Sequence, residues 1–392
     1  MNKKKTVIFP GAFFCSWNGG VKLLKICIDS ILIYDKKNRF NYVLLLPDKN
    51  FLSFFKRIFH ILKIFIRKIF DSNQVIYDWP YHKGSKELRE YFHNKKNLQI
   101  KGVDFRFEKN FLKKDSYINF LSMNLDYKKN KIGYLFDFQH RYLPNLFSKK
   151  EIKHRNQFFY KILNNNDCVV VNSNKAKKDA FKFYKKFKAS INVLPFTPFL
   201  DFSLNLLSKK RILNNEYLII CNHFWKHKNF EVVLNAFNLL KNKNINLVIT
   251  GQILDKNSSY YLKINKLIDK LNLKNKVFIY KNLEKKKQLS LIKNSAALIQ
   301  PSLFEGGPGG FSVYEAISLG KPVIVSDIEV NREILYKNIS FFKKNNSHDL
   351  KKKILTVIKK KDKNISSKKI YFNSKKNKAI LGEYIFKLLN KF

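Results

Sequence analysis

The stretch at 301–322, PSLFEGGPGGFSVYEAISLGKP, constrains the fold of this chain more than any other. An apolar run at 295–300 leads into it, Glu305 follows, and then comes Gly306-Gly307-Pro308-Gly309-Gly310. A helix-like segment at 312–319 precedes a second apolar run at 322–325. Strand, loop, helix and strand make a βαβ unit with a carboxylate at the mouth of its first turn. Ser312 and Glu315 have the spacing of a capping box, so the helix is expected to begin at Ser312. Gly320 and Pro322 supply its stop. Open α/β sheets bind ligands at the carboxyl ends of their strands, and the bare amides of a helix N-terminus favour anions. The turn is therefore expected to hold a phosphorylated, hydroxyl-rich ligand.

The same alternation runs through the rest of the chain. In the first half, strands are expected at 6–9, 41–46, 74–77, 131–136, 167–171 and 191–194. Helices are expected from Val21 (with Leu24, Ile28, Ile31 and Leu32 on one face), at 150–163 and at 175–187. Residues 197–213 break the rhythm and read as a linker. Strands at 216–221, 245–250 and 276–280 then alternate with helices at 229–240, 260–271 and 285–293, and helical patterns at 350–359 and 378–389 close the chain. With 392 residues, the reading is α/β with two Rossmann-like domains facing each other across a cleft, 1–200 and 201–372. Residues 373–392 form a terminal helix expected to pack back on the first domain.

Three further places carry candidate chemistry. After the first strand the loop at 11–20 ends in Trp17-Asn18-Gly19-Gly20, a second strand–glycine–helix unit without the lysine of a P-loop or a G-x-G-x-x-G. Its two glycines either let a backbone approach a ligand or simply make a turn. Asp137-Phe138-Gln139-His140-Arg141 follows another strand, where His140 either binds substrate and assists proton transfer or is structural. Asn222–Lys228 carries His223 and His227 four apart, but in a loop with no carboxylate beside them, so no metal is expected. Lys226 and Lys228, just before a helix, suit a phosphate as point charges.

The net charge is +48, from 77 Lys and Arg against 29 Asp and Glu. A polyanion-binding protein is one reading of that excess. A compositional shift towards Lys, Asn, Ile and Phe explains it too, since the charge is spread along the chain, and no specific nucleic-acid partner is expected. One stretch stands apart: 51–70 sets an apolar face including Phe54, Ile58 and Phe65 against a basic face including Lys56, Lys63 and Arg67. Such a helix reads either as a peripheral anchor on an anionic membrane surface or as a surface helix packed on its own domain. No uninterrupted 18-residue apolar span occurs, so no crossing helix is expected. Cys15, Cys27, Cys168 and Cys221 are scattered without a C-x-x-C pair, which fits a reducing compartment, and a cytoplasmic location is expected.

Taken together, Asn18-Gly19-Gly20-Val21, 137–141, 222–228 and 304–315 with Ala316 and Gly320-Lys321-Pro322-Val323 resemble glycosyltransferase family 4, the retaining "group 1" nucleotide-sugar transferases of the GT-B type. The resemblance covers essentially the whole chain, and its most specific block is the last. It implies a retaining enzyme that moves a sugar, a hexose in particular, from a nucleotide diphosphate to a glycan or lipid-linked acceptor, as in cell-surface polysaccharide synthesis, without a metal or other cofactor. By the same resemblance Glu305 would contact the transferred sugar beside the reacting carbon, aided by the backbone amides of the 306–311 loop (Gly306, Gly307, Gly309, Gly310 and Phe311), and Ser312 would also lie at the donor. Glu315 would hold the nucleotide ribose, with completion of the Ser312 cap as its structural alternative. Lys228 and His223 would face the diphosphate, with Gly19 and Gly20 across the cleft, and His140 would sit near sugar or acceptor. Nine residues separate Glu305 from Glu315, two more than is usual in the family, and His223 stands where many members carry Arg. A sugar-nucleotide epimerase or phosphorylase on the same architecture is the nearer enzyme alternative.

Overall fold

The computed structural model describes residues 4–47, 83–103, 117–123, 131–195, 199–200, 213, 215–252, 259–281, 283–359 and 365–392. The helix expected at 51–70 and the strand expected at 74–77 lie outside the described residues.

The first half is a sheet of seven parallel strands: β1 Thr6–Pro10, β2 Asn41–Pro47, β3 Leu98–Val103, β4 Tyr117–Ser122, β5 Lys131–Leu135, β6 Cys168–Val171 and β7 Ser190–Val193. Their order is β3-β2-β1-β4-β5-β6-β7. The second half repeats the plan with six: β8 Tyr217–Cys221, β9 Asn246–Gly251, β10 Val277–Lys281, β11 Ala297–Gln300, β12 Val323–Ser326 and β13 Ile339–Phe342, in the order β10-β9-β8-β11-β12-β13. Each order reverses direction once, between β1 and β4 and between β8 and β11. Those reversals open a crevice at the carboxyl end of the sheet, where α/β folds take ligands. The loop after β1 and the stretch that opens at Pro301 sit at these two points.

The strands read as near-continuous apolar runs because both faces are covered. Val7 and Phe9 face a core built with Leu24, Ile28 and Ile31, whereas Leu135, Val169 and Val171 pack on Phe159, Ile162 and Ala180. The second sheet is covered the same way, by one cluster around Phe230, Phe237 and Ile249 and another around Val313, Ala316 and Val325.

Helix α1, Asn18–Tyr34, starts three residues before the expected Val21, its first turn built on Asn18, Gly19 and Gly20. Between β2 and β3 comes α2 Lys83–Phe92; the short α3 Gln139–Tyr142 and α4 Lys149–Asn165 separate β5 from β6, and α5 Asn174–Phe183 follows. Ser148 and Glu151 cap α4 reciprocally, and the Ser173 hydroxyl accepts from the Ala176 amide to start α5. In the second half the helices are α6 Phe230–Asn238, α7 Ser259–Lys270, α8 Lys285–Asn294, α9 Gly310–Ser318, α10 Ser347–Ile358 and α11 Ser367–Leu389.

The last helix belongs to both halves. Ile370 joins the core of the second sheet, while Leu381, Ile385, Phe386 and Leu389 join that of the first. It crosses α1 closely: a Cβ on Gly382 would lie 2.1 Å from the Ser30 carbonyl oxygen. Burying each of those apolar side chains contributes about 1.5–3 kcal/mol. Asp29 on α1, buried at this crossing, pairs with Lys378 at 3.1 Å and Lys95 at 3.2 Å and accepts from the Tyr91 hydroxyl. Burial opposes its charge, but these partners outweigh it and hold the carboxyl below its ordinary range.

Candidate active site

Glu305 lies just past the carboxyl end of β11. Its Oε1 accepts from Lys228 Nζ at 2.5 Å and from Gln300 Nε2 at 2.8 Å. Gln300 is fixed in turn by the Asn222 side-chain amide, which donates to its Oε1 at 2.6 Å. The backbone ties the two loops together, since the Leu303 amide donates to the His227 carbonyl at 2.8 Å. Thus the loops after β8 and β11 are cross-linked by one polar chain, Asn222–Gln300–Glu305–Lys228. Lys228 and Glu305 are mostly buried, with side-chain exposures of 11% and 12%. Removing either partner would leave a buried charge uncompensated, which costs about 3–5 kcal/mol.

The glycine loop is shaped by two residues in the left-handed region, Gly309 at φ +63° and Gly310 at φ +72°. A side chain at either position would strain the turn. The Gly309 amide donates to Asn331 Oδ1 at 3.0 Å, and Asn331 donates to the Ser326 carbonyl at 2.8 Å. Helix α9 therefore begins at Gly310, not at Ser312, with Gly309 as its N-cap and no side-chain cap. The capping box expected between Ser312 and Glu315 does not form. The glycine turn already sets the helix start, so Glu315 is free to turn elsewhere. It is 8% exposed and accepts from Lys22 of α1 and from Lys285 Nζ of α8, the latter at 2.6 Å. Burial works against its charge, yet Lys22 and Lys285 outweigh it and hold the carboxyl below its ordinary range.

The first domain meets this loop directly. The Ser173 hydroxyl donates to the Gly306 carbonyl at 3.1 Å, and a Cβ on Gly306 would lie 2.4 Å from the Phe136 carbonyl oxygen. Nearby, Glu333 accepts from the amides of Asn174 and Lys175 at 2.8 and 2.7 Å, closing the N-terminus of α5 from the other domain. Asp137 stands against Gly306 and accepts from the Gln139 amide at 2.9 Å. Burial pushes its carboxyl up, against the pull of that amide and of Arg155.

His140 is 1% exposed, between the rings of Phe159 and Phe147. Its Nε2–H donates to Asn156 Oδ1 at 2.9 Å, leaving Nδ1 buried without a hydrogen bond among the described residues. Burial lowers its pKa to about 4, so the ring is neutral near pH 7. His223 accepts from the Gln252 amide at Nδ1, 3.1 Å away, and burial together with Lys228 lowers it to about 4 as well. Its Nε2–H is therefore a donor.

Gly19 and Gly20 lie in the first turn of α1. The Trp17 indole lies over both, 2.6 Å from a Cβ on Gly19 and 2.5 Å from one on Gly20, and the Gly20 amide donates to the Trp17 carbonyl. Phe311 lies beneath the Lys22 ammonium at 5.4 Å, and Ser312 follows it on the first turn of α9. Lys22, Lys285, Gln300, Asn331 and Asp137 have contacts at this site that the sequence did not reveal. Lys22 comes two residues after the glycine pair, but in a chain with lysine everywhere one lysine carries no signal. Among the described residues no three His, Cys, Asp or Glu side chains gather as a metal site.

The comparisons with known proteins fall on this geometry. The chain has the GT-B fold. It aligns with Anabaena HepE in complex with UDP and glucose at 13% identity, over 100% of both chains, with a TM-score of 0.63. Sucrose-phosphate synthase from Thermosynechococcus elongatus aligns at 12% identity over 99% of both chains, TM-score 0.58. A glycosyltransferase from Rickettsia africae ESF-5 aligns at 14% identity, over 99% of this chain and 98% of that one, TM-score 0.57. At such identities the likeness is one of fold. Residues 206–376 match the family described as glycosyl transferases group 1, which supports a glycosyltransferase. That match contains Lys228, Glu305, the glycine loop and Glu315. No curated protein gives a significant match.

Proposed function

We propose that the protein is a retaining glycosyltransferase that moves a sugar, a hexose in particular, from a nucleoside diphosphate to a glycan or lipid-linked acceptor. The observation that carries this reading is the cross-linked pair of strand-end loops, where Glu305 and Lys228 face the first domain at the switch point of the second sheet. Sugar transfer needs stabilisation of an oxocarbenium-like centre and of a departing diphosphate. Glu305, held by Gln300, supplies a fixed acceptor for the sugar hydroxyls. Lys228, His223 Nε2–H and the glycine loop supply donors for the phosphates, and the Glu315 carboxylate suits the two hydroxyls of a ribose. HepE structures contain UDP or UDP-glucose, which makes UDP-sugars the first donors to try. His140, neutral and buried beside the loop that meets Gly306, orders the acceptor side. These groups do the work with the chain's own residues, and the reading calls for no cofactor. Synthesis of cell-surface polysaccharide at the cytoplasmic face of a membrane is the setting we assign. Among the described residues no helix is long and apolar enough to cross a bilayer.

The test is turnover of a panel of sugar nucleotides by the wild type and by Glu305→Gln, which keeps the shape and the Gln300 contact. A loss of at least about a hundredfold in kcat is expected if Glu305 stabilises the transition state. Unchanged turnover would remove Glu305 from that role. Anomeric analysis of the product by NMR separates retention from inversion, and release of free sugar phosphate or an epimerised nucleotide would redirect the assignment.

A further inference from the structure

We propose that Arg155 anchors the acceptor: its guanidinium, held between the rings of Phe136 and Phe147, takes the phosphate of a lipid-linked acceptor beside the Glu305 loop. The inference rests on the transfer reading above and adds the charge of the acceptor and the residue that meets it.

Arg155 lies in α4. Its guanidinium is 5.6 Å from the centre of the Phe136 ring and 4.6 Å from that of Phe147. Phe136 is the residue whose carbonyl oxygen stands against Gly306, so one side chain separates Arg155 from the glycine loop that follows Glu305. Asp137 and His140 both feel its charge, which pulls each of them downward.

The side chain is half-buried, yet among the described residues it forms no ion pair and donates no hydrogen bond. Arg89, the other half-buried arginine among the described residues, donates to the Pro47 carbonyl at 3.2 Å. Arg141, on the neighbouring α3, donates to Asn156 Oδ1 at 3.2 Å. Stacking on two rings fixes the plane of the Arg155 guanidinium without using its N–H donors. The result is a preorganised fork, the geometry that takes two oxygens of one phosphate.

The surroundings favour a phosphate on a lipid over a carboxylate on a sugar. Phe136 and Phe147 are half-buried, and Phe13, 41% exposed, stacks on Phe136 with ring centroids 6.4 Å apart. A phosphate that carries a hydrocarbon chain matches both features, with its charge on the fork and its chain on the rings. An acidic glycan brings hydroxyls that these rings cannot bond. Asp137 opposes an incoming anion less than an ordinary carboxylate would, because burial pushes its carboxyl up. The first domain supplies Arg155 and the three rings, whereas Lys228, Glu305 and Glu315 come from the second. The phosphate at Arg155 therefore belongs to the acceptor, not to the donor.

The experiment is calorimetric titration of decyl phosphate, decyl glucoside, decanoate and inorganic phosphate, each below its micelle concentration, into wild type, Arg155→Met and Arg155→Lys. UDP, GDP, ADP and CDP are titrated into the same proteins. Wild type is expected to bind decyl phosphate at least about tenfold tighter than the other three acceptor probes. Arg155→Met loses about tenfold or more for decyl phosphate and keeps decyl glucoside and the best diphosphate within about twofold. Arg155→Lys regains only part of the loss, because a point charge lacks the fork. Decyl phosphate binding that Arg155→Met leaves unchanged would overturn the proposal. Equal losses for decyl phosphate and decyl glucoside would overturn it too, by reducing Arg155 to packing. A preference for decanoate would replace the phosphate with a carboxylate, and inorganic phosphate bound as tightly as decyl phosphate would remove the lipid. A wild type that binds none of the four nucleoside diphosphates would refute the donor reading itself, whereas diphosphate binding without any preference for decyl phosphate refutes the role of Arg155 alone.

Discussion

Gly306→Ala tests whether the two domains work in the contact seen here. The added methyl would lie 2.4 Å from the Phe136 carbonyl oxygen and 2.6 Å from Asp137 Cβ. The oxygen belongs to the backbone just past β5, so no rotamer change can relieve the clash. Carbon and its neighbours pack favourably at about 3.5 Å, so the loop and the strand end must separate by about 1 Å. Each is embedded in its own core, and the least resistant motion is a small opening of one domain against the other. A misplacement of that size between reacting groups lowers rate by about a hundredfold, or about 2.7 kcal/mol in the barrier.

The expected outcome is thus a large drop in kcat with the folding of each half intact. Thermal melting should move little, because the cores keep their contacts and only the interdomain contact is relieved. Small-angle scattering should show a slightly larger radius of gyration for the variant. Wild-type turnover in Gly306→Ala would refute the reasoning, since it would mean that catalysis does not require Gly306 against Phe136. A collapse in melting temperature would refute it differently, by placing the strain inside a domain.

Two other outcomes follow from particular contacts. Gly382→Leu should destabilise the whole protein by several degrees in melting temperature, since even a Cβ there would meet the Ser30 carbonyl at 2.1 Å and α11 ties both cores together; an unchanged melt would mean that α11 does not hold the halves. Acidification should also destabilise: burial lowers His140 and His223 from 6.5 to about 4, so the unfolded chain binds more protons between those values. Their contribution is present above pH 6.5 and is lost as pH falls towards 4. His140→Gln should flatten that slope in melts recorded from pH 7 to pH 4, and a slope identical to wild type would exclude His140 as its source.

The sequence made the sheets legible where strands were long and apolar, and hid them where they were short or mixed. The strand of Tyr117–Ser122 carries Asn119 and Ser122, and that of Ile339–Phe342 spans four residues, so neither stood out from its surroundings. Helix boundaries were moved by caps. Asn346 accepts from the Asp349 amide and begins α10 at Ser347, three residues before the apolar pattern does. At the site, the glycine loop and Glu305 were legible because few structural demands produce that pattern. The partners of Glu305 and Glu315 were not. Gln300 reads as the end of a strand, and Lys22 and Lys285 are two among many lysines whose meaning depends on which carboxylate the fold sets opposite them.

That last point bears on the charge of the chain. An excess of +48 leaves few carboxylates, and Asp29, Glu305 and Glu315 each meet lysines. Asp29 fastens the terminal helix to α1, where Lys378 and Lys95 are its partners. Glu305, in the loop after β11, and Glu315, on the helix α9 that follows it, use the same chemistry towards the carboxyl end of the second sheet, where α/β folds take ligands.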